Sequence, residues 1–413
     1  MRLVPDRLVA GGEAMARADD GRIVFVEGAL PGEIVEVEIR TTKKDYARAV
    51  VVEVVQPSPD REHPSCPHRR AGCGGCDWMH LRPSAQLDAK AVIVAESLRR
   101  IGRLPPDVVD DLVVRGRAVE PLGYRTTIRV VGSASGSAGL RAQGSHDVVP
   151  VDSCPVADPA LSRLLPGLGI DPGVELTLRS SVSTGAVTAI WDHEHRREHR
   201  RSVRGLPAGV HVGARAWLSE RVAGVDLRVS ARSFFQSGVQ AAELLVAAVS
   251  TAAPELADAR HAVDAYGGVG VFAATAMANA GHVTVIESAR SACVDAEHNL
   301  AGRSARIVHA EVARWTPRAS EGTTSRAPGG RGPSVDVVVA DPARPGLGRP
   351  GVTSLVAAAA PVLVLVSCDP VSLARDVSLL GAAGYRPERV EVLDLFPNTH
   401  HVETVTRFVR AED

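Results

Sequence analysis

The sequence lacks the features that mark membrane and secreted proteins. None of its 413 residues belongs to an apolar run of about 18 or more, so no segment predicts a membrane-spanning helix. The N-terminal stretch carries charges at Arg2, Asp6, Arg7 and Glu13 and has no apolar core, unlike a secretion signal. We therefore expect a soluble cytoplasmic protein with no membrane association. Nothing in the sequence indicates an obligate protein partner, and we expect a monomer.

The sequence also lacks an excess of positive charge. Its formal net charge is −1, and lysine occurs only at Lys43, Lys44 and Lys90. Nearly all other cations are arginines, which bind phosphate through planar, bidentate contacts. Because a compositional bias towards arginine explains this better than a function does, the overall charge neither predicts nor excludes a nucleic-acid partner.

Cysteine is scarce, but the spacing of the six cysteines is informative. Cys66, Cys73 and Cys76 form a C-x6-C-x2-C pattern with glycines beside them, and Cys154 follows in the segment VDSCP. In an intracellular chain such a group indicates a metal site or catalysis before disulfides. Four thiolates suit either zinc or an iron–sulfur cluster. The matched C-x2-C pairs that are common at zinc sites are absent, which favours the cluster.

Three regions follow one another along the chain. Residues 1–58 predict a small β-barrel, with strands at 22–27, 33–39 and 47–55. The basic stretch at 40–48 either holds a phosphate backbone and stacks a base or is a solvated hairpin tip. Residues 59–225 predict a central, mostly β domain that carries the cysteine group. Within it, residues 81–104 predict a helix that could pack on the third region.

The third region, residues 226–413, predicts an α/β domain. Buried strands are expected at 262–265, 283–286, 307–308, 335–339 and 362–366, alternating with helices. This pattern is typical of a parallel sheet covered on both faces. A surface insertion is expected at 319–333, and a solvated, histidine-rich loop at 192–204.

A nucleoside-containing cofactor is indicated at the first of these strands. The segment 263–272, VDAYGGVGVF, is a strand followed by a glycine-rich turn, with a helix expected at 273–280. Glu287 ends the next strand, where an acid accepts hydrogen bonds from ribose hydroxyls. The glycines fit the G-x-G-x-x-G pattern of nicotinamide sites only in its variant form, and the segments that follow favour S-adenosylmethionine instead.

Two later strands end in residues that suggest catalysis. One ends in Asp-Pro at Asp341, and the next in Ser-Cys-Asp-Pro at Cys368. A cysteine between a strand end and a helix N-terminus is expected to have a lowered thiol pKa and to be a good nucleophile, although a lone cysteine often packs as a small hydrophobe. Near the C-terminus, Glu403 precedes the last strand and is either a general base or an exposed strand charge.

In this order, the segments resemble the RNA uracil-5-methyltransferase family, most closely the iron–sulfur branch that methylates 23S ribosomal RNA. The resemblance spans nearly the whole chain. It implies an RNA-binding, OB-like TRAM barrel at residues 1–58 and a Rossmann-like methyltransferase domain dependent on S-adenosylmethionine at 226–413. It also implies a 4Fe-4S cluster, whose ligands would be Cys66, Cys73, Cys76 and Cys154.

The resemblance assigns roles to individual residues. The segment RSFFQ at 232–236 matches the family's F-x-Q motif, and the nucleophile motif matches residues 367–376. Cys368 would add to carbon-6 of a flipped-out uridine in RNA, and Glu403 would remove the proton from carbon-5. The implied cofactor-binding residues are Gln236, Tyr266, Glu287, Glu311 and Asp341.

Four positions depart from the family pattern, namely Gly238, Gly267, Val271 and Ala343. They weaken the expected cofactor contacts and leave the reaction chemistry in place. Transfer RNA is an alternative substrate. Three other functions stay open: methylation of cytosine carbon-5, a non-catalytic RNA-binding module, and a cluster-bearing oxidoreductase.

Overall fold

The N-terminal region folds into a six-stranded sheet. Its strands are β1 (Arg2–Leu3), β2 (Arg7–Leu8), β3 (Ala14–Arg17), β4 (Ile23–Glu27), β5 (Ile34–Thr42) and β6 (Tyr46–Gln56). The computed structural model describes residues 1–192, 201–317 and 335–411 of the chain. In space the strands follow the order β1-β5-β6-β4-β3-β2, so the two edge strands are consecutive in the chain. Only residues 4–6 separate them, and this short link curls the sheet into a small barrel.

Three helices and one strand follow the barrel. They are α1 (Pro67–Arg70), α2 (Pro83–Arg100), α3 (Pro106–Leu112) and β7 (Val113–Ala118). Helix α2 is apolar on two faces: Val94 and Leu98 join the core beneath the C-terminal sheet, whereas Ile93 packs among barrel residues. The helix therefore ties the barrel to the C-terminal domain.

The central region is mostly β. Its elements are β8 (Thr127–Gly132), β9 (Ala138–Arg141), β10 (Val148–Pro150), α4 (Pro159–Ser162), β11 (Gly169–Ile170), β12 (Glu175–Ser180), β13 (Val187–Trp191), β14 (Val203–Arg204), β15 (Val210–Val212), β16 (Trp217–Val222) and β17 (Val225–Ser230). Six strands form one sheet in the order β10-β9-β8-β12-β13-β15, and β16 with β17 forms a separate hairpin. Most of the predicted loop at 192–204 lies outside the described residues, as does the predicted insertion at 319–333.

The C-terminal region alternates strands and helices. Its elements are α5 (Val239–Ala252), β18 (His261–Ala265), α6 (Val271–Ala274), β19 (His282–Glu287), α7 (Arg290–Asn299), β20 (Ala305–His309), β21 (Val337–Ala340), α8 (Gly348–Val356), β22 (Val362–Ser367), α9 (Pro370–Ala382), β23 (Tyr385–Asp394) and β24 (Glu403–Arg410). Short 3-10 turns occur at Leu165–Gly167, Pro254–Ala257 and Val312–Arg314. Within the described residues, no helix is long and apolar enough to cross a membrane.

An eight-stranded sheet organises this region, in the order β20-β19-β18-β21-β22-β24-β23-β7. The strands from β20 to β22 are parallel, and β24 runs antiparallel to β22. Side chains alternate between the two faces: Val337 and Val339 join one core cluster, while Val338 and Ala340 join the other. Both faces of the sheet are therefore buried, which explains the continuous apolar runs in the sequence.

The boundaries of the sheet differ from the division expected from the sequence. Strand β7 lies within residues 59–225, assigned to the central domain, yet it pairs in parallel with β23 at the edge of the C-terminal sheet. The hairpin of β16 and β17 crosses the expected boundary after residue 225 and packs on α5 and α7. The helix expected at 273–280 is also shorter, because Thr275 Oγ1 donates to Val271 O (2.6 Å) and the backbone leaves the helical conformation there.

Candidate active site

A cavity lies at the carboxyl end of β18, where the chain turns through residues 266–270. β18 lies between β19 and β21, so the chain leaves it on one side and later returns on the other. Ligands of open α/β sheets bind at such switch points. Gly268 and Gly270 have φ of 55° and 85°, in the left-handed region that favours glycine. Tyr266 has φ of 62° without being glycine, a strain that is often kept at ligand sites.

Gln236, Tyr266 and Asp341 line this cavity. Gln236 Nε2 donates a hydrogen bond to Asp341 Oδ2 (3.1 Å). Asp341 directly follows β21, so the parallel sheet itself places this carboxyl at the cavity. Burial raises the pKa of Asp341 to about 7, and the bond from Gln236 opposes that rise. The carboxyl thus changes charge near neutral pH.

The two predicted cofactor glutamates occupy different environments. Glu287 ends β19, and its carboxylate accepts hydrogen bonds from the backbone N–H groups of Gly268 (3.0 Å) and Ala289 (2.5 Å). It therefore braces the glycine turn beside the cavity. Glu311 lies further along, after β20; its side chain is largely exposed and pairs with Arg314 (3.2 Å). The structure does not bring Glu311 into the cavity.

Cys368 and Glu403 meet at the same edge of the sheet. Cys368 follows β22, Glu403 begins β24, and the antiparallel register pairs Ser367 with Thr404, which makes Cys368 and Glu403 neighbours. Glu403 is only 3% exposed, which contradicts the alternative of an exposed strand charge. Burial, followed by the nearby charge of Asp341, raises the pKa of Glu403 well above its ordinary value. A thiol and a carboxyl group therefore lie together, next to the carboxyl that lines the cavity.

The expected lowering of the Cys368 pKa is wrong. Burial raises the pKa of this thiol to about 12, Glu403 and Asp341 add to the rise, and Arg344 opposes it. At the first turn of α9, the Ser372 N–H donates to the side chain of Asp369 (2.6 Å), which caps the helix. The expectation rested on the neighbouring helix N-terminus, which the local sequence shows. The local sequence does not show the carboxyl groups of Glu403 and Asp341, which other strands bring close to the thiol.

The four remaining predicted cysteines line one cavity of about 210 Å³, near the surface of the central domain. Burial raises the pKa of Cys76 to about 12, and the positive charge of Arg125 opposes that rise. Backbone N–H groups likewise oppose the raised pKa of Cys73 and Cys154. In the described part of the chain, no group of three or more His, Cys, Asp or Glu side chains is arranged to hold a single metal ion.

Other residues at the site were missed by sequence reasoning. Asp264 is fully buried within β18, its Oδ2 accepts from Ala273 N (3.0 Å), and burial raises its pKa to about 7. An acid inside an apolar strand was a visible signal. Buried Arg179 donates to the carbonyl oxygens of Ser230 (2.9 Å) and Ser233 (2.7 Å), just before Gln236. No local pattern marked that contact, because its partners lie far apart in the chain.

Comparisons with known proteins identify the domain, the family and the fold. The TRAM domain family matches residues 6–52, which confirms the predicted TRAM domain. An uncharacterized RNA methyltransferase of Streptomyces avermitilis is 36% identical over 96% of this chain and 94% of its own length. A 23S rRNA (uracil(1939)-C(5))-methyltransferase of Halomonas elongata is 33% identical over 98% of this chain and 88% of its own.

A solved structure shows the same fold over the whole chain. It is the Pyrococcus abyssi tRNA (uracil-54, C5)-methyltransferase in complex with S-adenosyl-L-homocysteine, with a TM-score of 0.71 and 24% identity over 99% of this chain and 100% of that one. This structure shows the fold alone, whereas the sequence identities to the two relatives above show the family. This chain belongs to the family of RNA methyltransferases that includes the 23S rRNA (uracil-C5)-methyltransferases.

Proposed function

We propose that this protein methylates carbon-5 of uridine in RNA, with 23S ribosomal RNA as the favoured substrate. The observation that carries the proposal is the adjacency of Cys368 and Glu403 at the sheet edge, with Asp341 between them and the cofactor cavity. Carbon-5 of uracil is a weak nucleophile, and a covalent thiol adduct at carbon-6 activates it. A buried thiol beside a buried carboxyl group suits this chemistry.

Gln236, Tyr266 and Asp341 would hold S-adenosylmethionine at the cavity, with Glu287 bracing the glycine turn. When bound, this cofactor supplies an electrophilic methyl group. The cavity is lined by backbone at Gly267 and Gly268, where a ligand can approach closely. Glu311 is exposed and paired with Arg314 outside the cavity, so its contact with the cofactor stays a prediction.

The protein residues act before and after methylation. Cys368 loses its thiol proton to solvent and its sulfur bonds to carbon-6. The electrons of the carbon-5–carbon-6 double bond then move onto carbon-5 and the carbonyl group at carbon-4. After carbon-5 has been methylated, the carboxylate form of Glu403 takes the carbon-5 proton, the C–H electrons form the carbon-5–carbon-6 double bond, and the C–S bond breaks to release the thiolate. Arg344 is the positive charge that favours ionisation of Cys368. The RNA substrate must present an unstacked uridine, because the atoms attacked lie within a base stack otherwise.

We infer that Cys66, Cys73, Cys76 and Cys154 hold a 4Fe-4S cluster. Four cysteines around one cavity form the donor set of such clusters, and binding iron would ionise thiols that burial otherwise keeps protonated. Methyl transfer moves no electrons through the protein, so the cluster would have a structural or RNA-contacting role. A monomeric, cytoplasmic enzyme remains part of the proposal.

The test is methyl transfer from labelled S-adenosylmethionine to unmodified 23S ribosomal RNA and, separately, to unmodified tRNA, followed by nucleoside analysis. We expect label in 5-methyluridine from the ribosomal RNA. Label from tRNA alone would correct the substrate. Label in 5-methylcytidine, or no label with anaerobically prepared protein that binds both RNAs, would contradict the proposed reaction and favour a cytosine enzyme or a binding module.

A further inference from the structure

A buried ion pair joins helix α2 to the segment that precedes Glu403. Lys90 on α2 is 0% exposed, and its Nζ donates to Asp394 Oδ1 (2.5 Å) and to Phe396 O (3.2 Å). Asp394 ends β23 and is 1% exposed. Burying two charges costs desolvation free energy that their attraction only partly offsets, so such a pair is weak evidence for stability. Its position suggests a different role, because Asp394 begins the segment 394–402, termed here the base loop, which leads directly to Glu403.

Two further residues form hydrogen bonds with Asn398, in the middle of the base loop. Gln86, also 0% exposed on α2, accepts a hydrogen bond from Asn398 N (2.6 Å). Trp78 N donates to Asn398 O (3.0 Å). Asn398 has φ of 65°, in the left-handed region that non-glycine residues rarely adopt, so surrounding contacts must hold it there. The backbone N–H and C=O groups of Asn398 are therefore both hydrogen-bonded to the segment 78–90.

The end of the base loop contacts the cysteine segment. His400 N donates to Asp77 Oδ1 (3.3 Å), and its ring Nδ1 lies 2.7 Å from Asp77 Oδ2. Asp77 directly follows Cys76, one of the four clustered cysteines. The barrel also reaches this point: a Cβ added at Gly12 would lie 2.7 Å from His400 Cβ. The barrel, the cysteine segment and α2 thus converge on the nine residues that precede Glu403.

We propose that Lys90, Gln86 and Asp77 are positioning residues that hold the base loop so that Glu403 faces Cys368, and that Asp77 links the four-cysteine site mechanically to this base. The inference rests on the proposed function. It assigns the contacts a specific step: if Glu403 shifts, Cys368 can still add to uridine and carbon-5 can still be methylated. The carbon-5 proton then leaves slowly, and the methylated RNA remains bonded to Cys368.

The experiment uses the full-length, cluster-loaded protein and the double variant Lys90→Met/Asp394→Asn. This variant removes both charges with little change of volume, and the amide oxygen that replaces the Asp394 carboxylate can still accept from Phe396 N. Asp88→Asn is the matched control, because Asp88 lies on the same helix but forms an exposed ion pair with Arg115. Glu403→Gln serves as the reference for a lost base.

The readout is the fraction of protein bonded to methyl-labelled RNA after denaturation, beside turnover, S-adenosylmethionine affinity and iron content. We expect turnover of the double variant to fall by about 10²-fold, as displacement of a catalytic group by about 1 Å does. Denaturant-stable adduct should accumulate as in Glu403→Gln, while cofactor affinity and iron content stay at wild-type values. Asp88→Asn should match the wild type.

A merely structural role predicts a different pattern. Lower turnover without adduct, or with parallel losses of cofactor affinity and iron, would overturn the inference. Gln86→Met, which keeps the volume and removes the bond to Asn398, covers the case in which the double variant does not fold, and it must show the same adduct. If the wild type neither methylates RNA nor forms an adduct, the proposed function itself fails; if only the variants lack the adduct, the inference fails alone.

Discussion

The active-site cysteine and the four clustered cysteines are similarly buried, but their charged neighbours differ. Burial raises the pKa of both Cys368 and Cys76 to about 12. Glu403 and Asp341 raise the Cys368 pKa further, and Arg344 opposes the rise. At Cys76 the other three clustered cysteines raise the pKa further, and Arg125 opposes the rise. The first environment suits a thiol that ionises only as it attacks a substrate. In the second, four thiols that oppose one another's ionisation share one cavity, so a bound cation would be needed to keep them ionised together.

The largest predicted difference is in the rate of methyl transfer after replacement of Cys368 and of another cysteine outside the cluster, Cys293. Cys368→Ala should lower methyl transfer by about 10⁴-fold or more, because loss of a nucleophile removes the covalent step. Cys293→Ala is the matched control: Cys293 is also buried, on α7, and donates only a weak bond to Glu287 O (3.4 Å). Its activity should stay within a few-fold of wild type. Equal losses in both variants, measured by initial rates, would remove the distinction.

The second prediction concerns the clustered cysteines. Cys76→Ala and Cys154→Ala should each abolish iron binding, although the two residues come from distant segments of the chain. The melting temperature should fall by about 2–4 °C for every kcal/mol of lost cluster-binding free energy. Iron analysis and calorimetry measure the two effects. Full iron content in either variant would contradict a shared cluster, and the Cys293→Ala protein should keep its iron.

The smallest expected effect is a pH dependence at the cofactor cavity. Because burial raises the Asp341 pKa to about 7, its carboxyl is mainly neutral below that pH and negative above it. S-adenosylmethionine carries a positive sulfonium, and S-adenosylhomocysteine does not. The affinity ratio of the two should therefore shift by roughly tenfold towards S-adenosylmethionine between about pH 6 and 8.

Calorimetric titration with both ligands measures this ratio, so that effects of pH on the ligand-free protein cancel. Asp341→Asn should give a ratio that does not change across the same range. If the wild-type ratio also stays constant with pH, Asp341 does not interact with the sulfonium charge of the cofactor.

The fold was predicted best at the central parallel strands, where most residues of a strand are apolar. The strand expected at 262–265 is His261–Ala265, and that expected at 283–286 is His282–Glu287. Central parallel strands are apolar on both faces, so their composition alone reveals them. The strands β1 to β3 were missed, because two of them have only two residues and make no periodic pattern.

The candidate site was predictable in its residues and less so in its chemistry. Cys368 and Glu403 each follow or begin a buried strand, and the sheet brings them together. The direction of the Cys368 pKa was not predictable, because it depends on Glu403, Asp341 and Arg344, which only the folded sheet assembles. The Lys90–Asp394 pair was invisible for the same reason: its members are 304 residues apart.

The most direct test of the account is a trapping experiment with RNA that contains 5-fluorouridine. Fluorine at carbon-5 cannot leave as a proton does, so Glu403 cannot complete the reaction and the adduct should persist. With the wild-type protein and S-adenosylmethionine, we predict a denaturant-stable complex whose RNA-bearing peptide, identified by mass spectrometry, contains Cys368. An adduct on another residue, or none from protein that methylates ordinary uridine, would contradict a Cys368-bonded intermediate.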